Sequence, residues 1–304
     1  MNDDLTRRTF MQSAAATAIA APALARAATD AATPTGGRSI KRCLKWGMVK
    51  GDDDVASKFS RLAKIGFDGV ELDSPGPLDL DEVRRAIDAT GVTVPGVVGS
   101  EHWRSPLSHP DVKVRDKGRK ALDQAIRDCA TVGGTTVLLV PAVVNAEVGY
   151  DDAYTRSQAA IREALPLAEE LDIRIALENV WNHFLLSPME AARYVDEFNS
   201  PHLGWYFDVG NIVNYGWPEQ WVRILDKRIM KLDVKEFSRK RRNDEGLWKG
   251  FGVEIGDGDC NWPAVMAALD EIGFTDGWAS AEVGGGDDER LTDILARMDR
   301  VLAM

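Results

Sequence analysis

The chain has 304 residues, 44% of them hydrophobic, which suffices for one large α/β domain with a real core. Its 37 Lys and Arg against 48 Asp and Glu give a formal charge of −11, which argues against nucleic acid or an anionic membrane as the main partner. The best local exception, Arg239-Lys240-Arg241-Arg242, runs straight into Asp244 and Glu245, has no interleaved aromatic residue, and reads as a solvated loop.

At the N-terminus, Arg7-Arg8-Thr9-Phe10-Met11 is a twin-arginine pattern, followed by an Ala-rich, mildly apolar stretch and small-residue cleavage sites ending near Ala27. The pattern predicts an export signal over 1–27 that sends the protein to a bacterial periplasm, a flexible lead-in over 28–39, and one domain over 40–304. The apolar stretch is too short and too weakly apolar to span a bilayer. Cys43, Cys129 and Cys260 are odd in number and widely spaced. They predict neither a disulfide framework nor a thiolate metal site.

From residue 40 onward, apolar runs alternate with helical periodicity. The runs lie at 43–49, 69–72, 94–98, 136–140, 173–179, 203–211, 229–237 and 277–284. Between and after them come helix-like segments at 54–64, 80–89, 112–132, 153–171, 189–198, 219–225, 263–272 and 289–302. Asp79 is placed to cap the second helix, and Ser187-Pro188 opens the fifth with a cap and a first-turn proline. Ile65-Gly66-Phe67-Asp68-Gly69 is echoed by Ile272-Gly273-Phe274-Thr275-Asp276-Gly277, each reading as helix end, glycine cap and strand start. Eight such units predict a (β/α)₈ TIM barrel. A doubly wound open sheet is the alternative, but the chain has no Gly-rich phosphate turn of the GxGxxG kind. Gly284-Gly285-Gly286, after the last strand, reads as a flexible loop.

In such barrels function sits where strands end and the following loops begin. Four of those ends carry acids: Glu178, Asp208, Asp233 and Glu282. A carboxylate at the end of a buried strand is costly unless a cation or catalysis needs it there. Converging, the four would make an all-oxygen site for a divalent metal. Lys45, Glu71, Asp73 and Glu236 fall at the same face. So do Trp46, Trp103 and Trp181, whose rings can stack on sugar C–H faces, and His102 beside Trp103, a candidate substrate contact. His183 is a comparable case, while His109 and His202 read as structural. Trp217, Trp221, Trp248, Trp262 and Trp278 read as packing or interface residues.

The stretches ALENVWN, FDVGN, KLDVKEF, GDGDCNW and AEV, in that order, resemble the xylose isomerase-like TIM barrel superfamily from about Ile40 onward. The resemblance implies a divalent cation, Mn²⁺ first with Mg²⁺ or Co²⁺ possible, held by Glu178, Asp208, Asp233 and Glu282. Asp233 stands where the family usually has His, and Asn211 stands where many epimerases have a substrate-contacting His. It further implies that Glu178 and Glu282 move a proton through an enediolate, with Lys235 stabilising the enediolate oxygen. His102, Trp103, Trp181, Asn211 and Trp46 would contact substrate. The expected activity is isomerisation or epimerisation of a non-phosphorylated sugar or keto-sugar, since export separates the enzyme from phosphorylated cytosolic intermediates. A metal lyase or dehydratase on a 3-keto-glycoside shares the first step. A non-catalytic periplasmic sugar-binding protein and a DNA-repair nuclease are the readings from other classes. Family habit also implies a homo-oligomer.

Overall fold

A computed structural model describes residues 37–51 and 53–304. The expected export signal lies outside the described residues. Eight parallel strands close in chain order into a barrel: β1 (Ser39–Lys45), β2 (Gly69–Ser74), β3 (Gly96–Gly99), β4 (Thr136–Leu139), β5 (Arg174–Glu178), β6 (Leu203–Asp208), β7 (Ile229–Val234) and β8 (Asp276–Ala281). Closure is made by β1 on β8, in register from Ser39 opposite Asp276 to Leu44 opposite Ala281. The helices are α1 (Val55–Ile65), α2 (Leu80–Thr90), α3 (Val112–Thr131), α4 (Tyr150–Glu170), α5 (Pro188–Asp196), α6 (Val209–Val213), α7 (Pro218–Leu225), α8 (Arg239–Glu245), α9 (Trp262–Glu271) and α10 (Asp288–Leu302). The expected TIM barrel is therefore the fold.

Strand side chains alternate between two faces, and here the two faces differ in kind. Leu44, Val70, Leu72, Val97, Val137, Leu139, Ile175, Leu177, Trp205, Phe207, Leu232 and Val234 point out and share one core with the helices. Inside the barrel the apolar cluster is small: Leu138, Ala176 and Tyr206, with Val98 and Met230 against it. Branched aliphatics usually fill such an interior in layers. In this chain the layer beneath the four acids is built instead from Lys45, Glu71, Tyr206 and Lys231. Gly96 makes room for it, since a Cβ there would come 2.5 Å from the Thr136 carbonyl and 3.2 Å from Lys231 Nζ.

Helix starts follow the caps. Asp79 accepts from the N–H groups of Asp81 and Glu82, and Ser187 from that of Glu190 with Pro188 at the first turn. Each such cap is worth about 1 kcal/mol. Both glycines of the internal echo have positive φ, Gly66 at 108° and Gly273 at 73°, and each ends a helix just before a strand. All three cysteines are buried and free. No described helix is long and apolar enough to cross a membrane.

Three local expectations are corrected. The first apolar run is not strand to its end: β1 stops at Lys45, and Trp46–Met48 forms a 3-10 turn. The basic run is not a loop but helix α8, capped by Ser238 and laced by Lys240–Asp244 and Arg241–Glu245 pairs one turn apart. Arg239 and Arg242 bend back and donate to the carbonyls of Val213, Gly216 and Asn214. Finally, Gly284-Gly285-Gly286 is not a loose loop. Gly286 bridges to Val49, and a Cβ on Gly285 would lie 2.1 Å from the Met48 carbonyl oxygen, so the two backbones touch where only glycine fits.

Candidate metal centre

The barrel register puts the four acids side by side. Glu178 pairs with Tyr206 across β5 and β6, Asp208 with Asp233 across β6 and β7, and Glu282 follows β8 directly. One carboxylate oxygen from each lies within 4.8 Å of the others. Asp208 and Asp233 are fully buried, and the Glu282 side chain is 39% exposed toward the mouth. Asp208 Oδ2 and both Asp233 oxygens are buried without a hydrogen bond. Two ammonium groups stand close: Lys235 Nζ at 3.0 Å from Asp208 Oδ2 and 3.3 Å from Glu282 Oε1, and Lys45 Nζ at 2.9 Å from Asp233 Oδ1. The lysines pair with these oxygens as charges. Four buried or half-buried carboxylates converging to within 4.8 Å, with more negative than positive charge among them, fit a hard divalent cation, and an all-oxygen set favours Mn²⁺ or Mg²⁺ over Zn²⁺.

The electrostatics follow. Burial raises Glu178 well above the usual carboxylate range, and the charges of Glu282 and Asp233 push it further. Burial raises Asp233 in the same way against the pull of Lys45, and raises Asp208 against Lys235. Burial also acts on Glu282, but Lys235 and Lys45 outweigh it and hold that carboxyl below its usual range. Like charges this close do not all ionise without added positive charge.

The frame around the acids is hydrogen-bonded throughout. Asn179 clamps β5 to β6: its Oδ1 accepts from Asp208 N at 3.1 Å and Trp205 Nε1 at 3.0 Å, and its Nδ2 donates to Asp208 O at 2.7 Å. Asp208 Oδ1 caps α6 by accepting from Asn211 N. Asn211 Nδ2 donates to Asn179 O at 3.0 Å and to Glu178 Oε1 at 3.5 Å.

Beneath the site lies a feature that sequence reasoning missed. Glu71, 1% exposed, accepts from Lys45 Nζ at 2.7 Å and from the Tyr206 hydroxyl at 2.9 Å, and is also bonded by Lys231. Lys45 therefore bridges Glu71 and Asp233. The lysines hold Glu71 below the carboxylate range in spite of its burial. The signal was present as parity: Lys231 and Asp233 are two apart on β7, hence on one face.

A cavity of about 1300 Å³ opens above the acids, lined by residues from loops around the whole barrel mouth. Of the residues expected at the site, Glu178, Glu282, Lys235, His102, Trp103, Trp181 and Asn211 line it. Asp208 and Asp233 lie deeper, on the strands. Trp46 does not reach the lining. Its ring packs 6.0 Å from Phe59 with Lys58 over its face, because it follows β1 in the 3-10 turn. His183 is exposed and away from the lining. His109 accepts from the N–H of Asp111, and His202 Nδ1 lies 3.0 Å from the Ile173 carbonyl oxygen just before β5, so both rings bond backbone away from the cavity. His102 Nδ1 accepts from Val140 N at 3.2 Å, and burial lowers its pKa to about 4, so the ring is neutral with Nε2 left to donate. Trp248 and Phe251, the first of them read as packing, are on the cavity wall.

A family profile described as xylose isomerase-like TIM barrel matches residues 59–300. Among curated proteins, an L-ribulose-5-phosphate 3-epimerase (UlaE) of Salmonella paratyphi C is 27% identical over 229 residues, 70% of this chain and 77% of that protein. An Escherichia coli O1:K1 protein of the same name is 30% identical over 164 residues, 50% of this chain and 58% of that one. Among solved structures, 3-keto-D-glucoside 4-epimerase (YcjR) from E. coli superposes with a TM-score of 0.72 at 16% identity, covering 88% of this chain and all of that one (100%). A D-tagatose 3-epimerase-like protein gives 0.71 at 20% identity, covering 86% and 98%. At those identities the structures speak for the fold.

Proposed function

The chain belongs to the xylose isomerase-like TIM barrel family, and within it we propose a divalent-metal-dependent sugar isomerase or epimerase that works through an enediolate on a non-phosphorylated sugar or keto-sugar. The observation that carries the reading is the set of four strand-end carboxylates with one oxygen each within 4.8 Å of the others, Asp208 and Asp233 among them having buried oxygens without a hydrogen bond. The relatives named as L-ribulose-5-phosphate 3-epimerases support sugar epimerisation, while the lack of a phosphate on the substrate rests on the loops described below and not on them.

Glu178, Asp208, Asp233 and Glu282 would hold the cation. When bound, it supplies Lewis acidity that makes the C–H beside a carbonyl easier to ionise. The protein does the rest. Glu282, kept below the usual range by Lys235 and Lys45, is set to accept a proton. Glu178 holds a proton more tightly than a free carboxyl in the metal-free protein; once that proton is displaced on metal loading, Glu178 is a second carboxylate that can take up a substrate proton and return it. Lys235 Nζ, between Asp208 and Glu282, offers positive charge to a developing enediolate oxygen. His102 offers a neutral N–H donor from the opposite wall.

The absence of phosphate from the substrate is argued from the loops where such barrels usually bind it, after the seventh and eighth strands. The first N–H of α8 is taken by Asp259, with Arg239 N donating to Oδ2 at 2.6 Å. Helix α10 opens with Asp287, Asp288 and Glu289. Of the cations lining the cavity, Lys45 and Lys235 next to the acids are already paired with carboxylates, Arg104 lies 3.5 Å from Glu101, and Lys50 donates to the Gly47 carbonyl.

The test is incubation of Mn²⁺-loaded protein in D₂O with ketoses, keto-glycosides and their phosphates. Deuterium beside the carbonyl of a non-phosphorylated sugar, lost on Glu178→Gln, is the expected result, and product NMR separates an epimer from an eliminated product. Tight sugar binding in EDTA with no exchange under any condition would make the protein a binding module instead. Export is proposed from the twin-arginine pattern alone, and cell fractionation with Arg7→Lys, Arg8→Lys protein tests it: periplasmic accumulation of that variant would refute the signal. A homo-oligomer is proposed from family habit, and light scattering giving the mass of a single chain would refute it.

A further inference from the structure

Trp248 is 69% exposed, yet it is held in place. It sits in the 3-10 turn Leu247–Phe251, which is tied down at Gly250 and through the segment that follows it. On one side Ser238 N donates to Gly250 O at 2.8 Å, and Gly250 lies so close to Phe237 that a Cβ would come within 2.3 Å of the ring. On the other side the buried Glu236 accepts from Gly256 N at 2.7 Å, Cys260 N at 3.1 Å and Trp262 Nε1 at 3.0 Å. Trp181 faces it, with Nε1 fixed to Asn211 O at 2.9 Å. The centroid of Trp181 lies 4.8 Å from Trp248 and 5.0 Å from Phe251. Together the three rings form an aromatic shelf on the cavity wall.

The shelf lies next to the acids. Lys235 Nζ is 5.5 Å from the Phe251 centroid and 3.0 Å from Asp208, so one ammonium group touches both regions. The cavity, at about 1300 Å³, exceeds the roughly 300–1,000 Å³ that encloses a drug-sized ligand, and a single sugar ring would leave most of it to water. Resting on the sugar reading above, we propose that the substrate is a glycoside or disaccharide. Its reacting ring sits at the four carboxylates, and its second ring, aromatic or sugar, lies on the exposed Trp248, which packs against Trp181 and Phe251.

Calorimetric titration of Mn²⁺-loaded full-length protein with glucose, cellobiose and phenyl β-D-glucoside tests this. The two-ring ligands should bind on the order of 10-fold tighter than glucose, the size of a good aromatic contact. Trp248→Ala should bring their affinities toward that of glucose, and Trp248→Phe should restore part of the gap. Equal affinities in the wild type, or a gap that survives Trp248→Ala, overturns the proposal while leaving the sugar reading in place. A change of oligomeric state on Trp248→Ala with the gap intact would make the ring an interface residue and also overturns it. Binding of none of the three overturns the proposal, while the sugar reading beneath it stands or falls by exchange in D₂O with ketoses and keto-glycosides.

Discussion

Lys45 faces two carboxylates at once, Glu71 at 2.7 Å and Asp233 at 2.9 Å, and its own charge is held by them against burial. It stands beside the place a cation would take. Lys45→Met should therefore act in opposite directions on the two states. The metal-free protein loses a partner for buried carboxylates, at a cost of about 3–5 kcal/mol. The loaded protein loses a competing positive charge, so Mn²⁺ should bind on the order of 10-fold tighter. Melting with and without Mn²⁺, together with metal titration, checks both halves, and weaker metal binding would show that Lys45 supports the cation instead of opposing it. His102 gives a pH prediction. Its folded pKa of about 4 lies below the usual 6.5, so the unfolded chain binds the extra proton between those values. Stability from this group is full above about pH 6.5 and is lost as pH falls toward 4. His102→Gln should flatten that part of the stability profile measured by denaturant titration. An unchanged slope would mean the ring is already charged in the folded state.

At the scale of elements, Glu236 ties β7 to the segment that leads into α9, through the N–H groups of Gly256, Cys260 and the Trp262 ring. Glu236→Ala strands those buried donors, each worth about 1–3 kcal/mol when left unsatisfied. The variant should unfold at lower denaturant and be nicked by protease between residues 246 and 261. Resistance equal to wild type would show the segment is held by other contacts. The same region marks where sequence reading stops. Strands, helices and caps were legible because periodicity, Asp79, Ser187 and the echoed glycines are local signals. The four acids were legible because barrel topology turns strand ends into neighbours. The Lys45–Glu71–Lys231 layer was not, because it needs the register between strands as well as the parity within one. The positions of Trp248, on the cavity wall, and Trp46, off it, were not legible for a related reason: a loop's direction is set by tertiary anchors such as Glu236 and by the 3-10 turn after β1, neither of which has a repeat to read. Helix α8 was hidden because its charges pair one turn apart, which a tally of like charges does not register.

For the whole molecule, the barrel concentrates negative charge at one mouth of an already acidic chain, and that couples metal, protons and stability. Glu178, Asp208 and Asp233 are all raised in the metal-free protein, so the cluster keeps its protons to higher pH than free carboxyls do. A cation must displace them. Mn²⁺ affinity should therefore rise with pH, and binding should release protons, read as a dependence of the calorimetric heat on the ionisation enthalpy of the buffer. The sign is fixed: a raised carboxyl opposes loading at low pH and ceases to do so once deprotonated. Because the unfolded chain has no such site, cation at 100 times its dissociation constant should stabilise the fold by about 2.7 kcal/mol. For a domain of this size that corresponds to roughly 5 °C in Tm, removed by EDTA. Asp233→Asn should reduce both the proton release and the EDTA-sensitive shift, since it takes away one ligand charge and one of the raised carboxyls together. If EDTA left Tm unchanged and Mn²⁺ produced no buffer-dependent heat, the four acids would be neutralised by Lys45, Lys235 and their own protons alone. The cluster would then be an internal charge network, and the proposed chemistry would have no cation to support it.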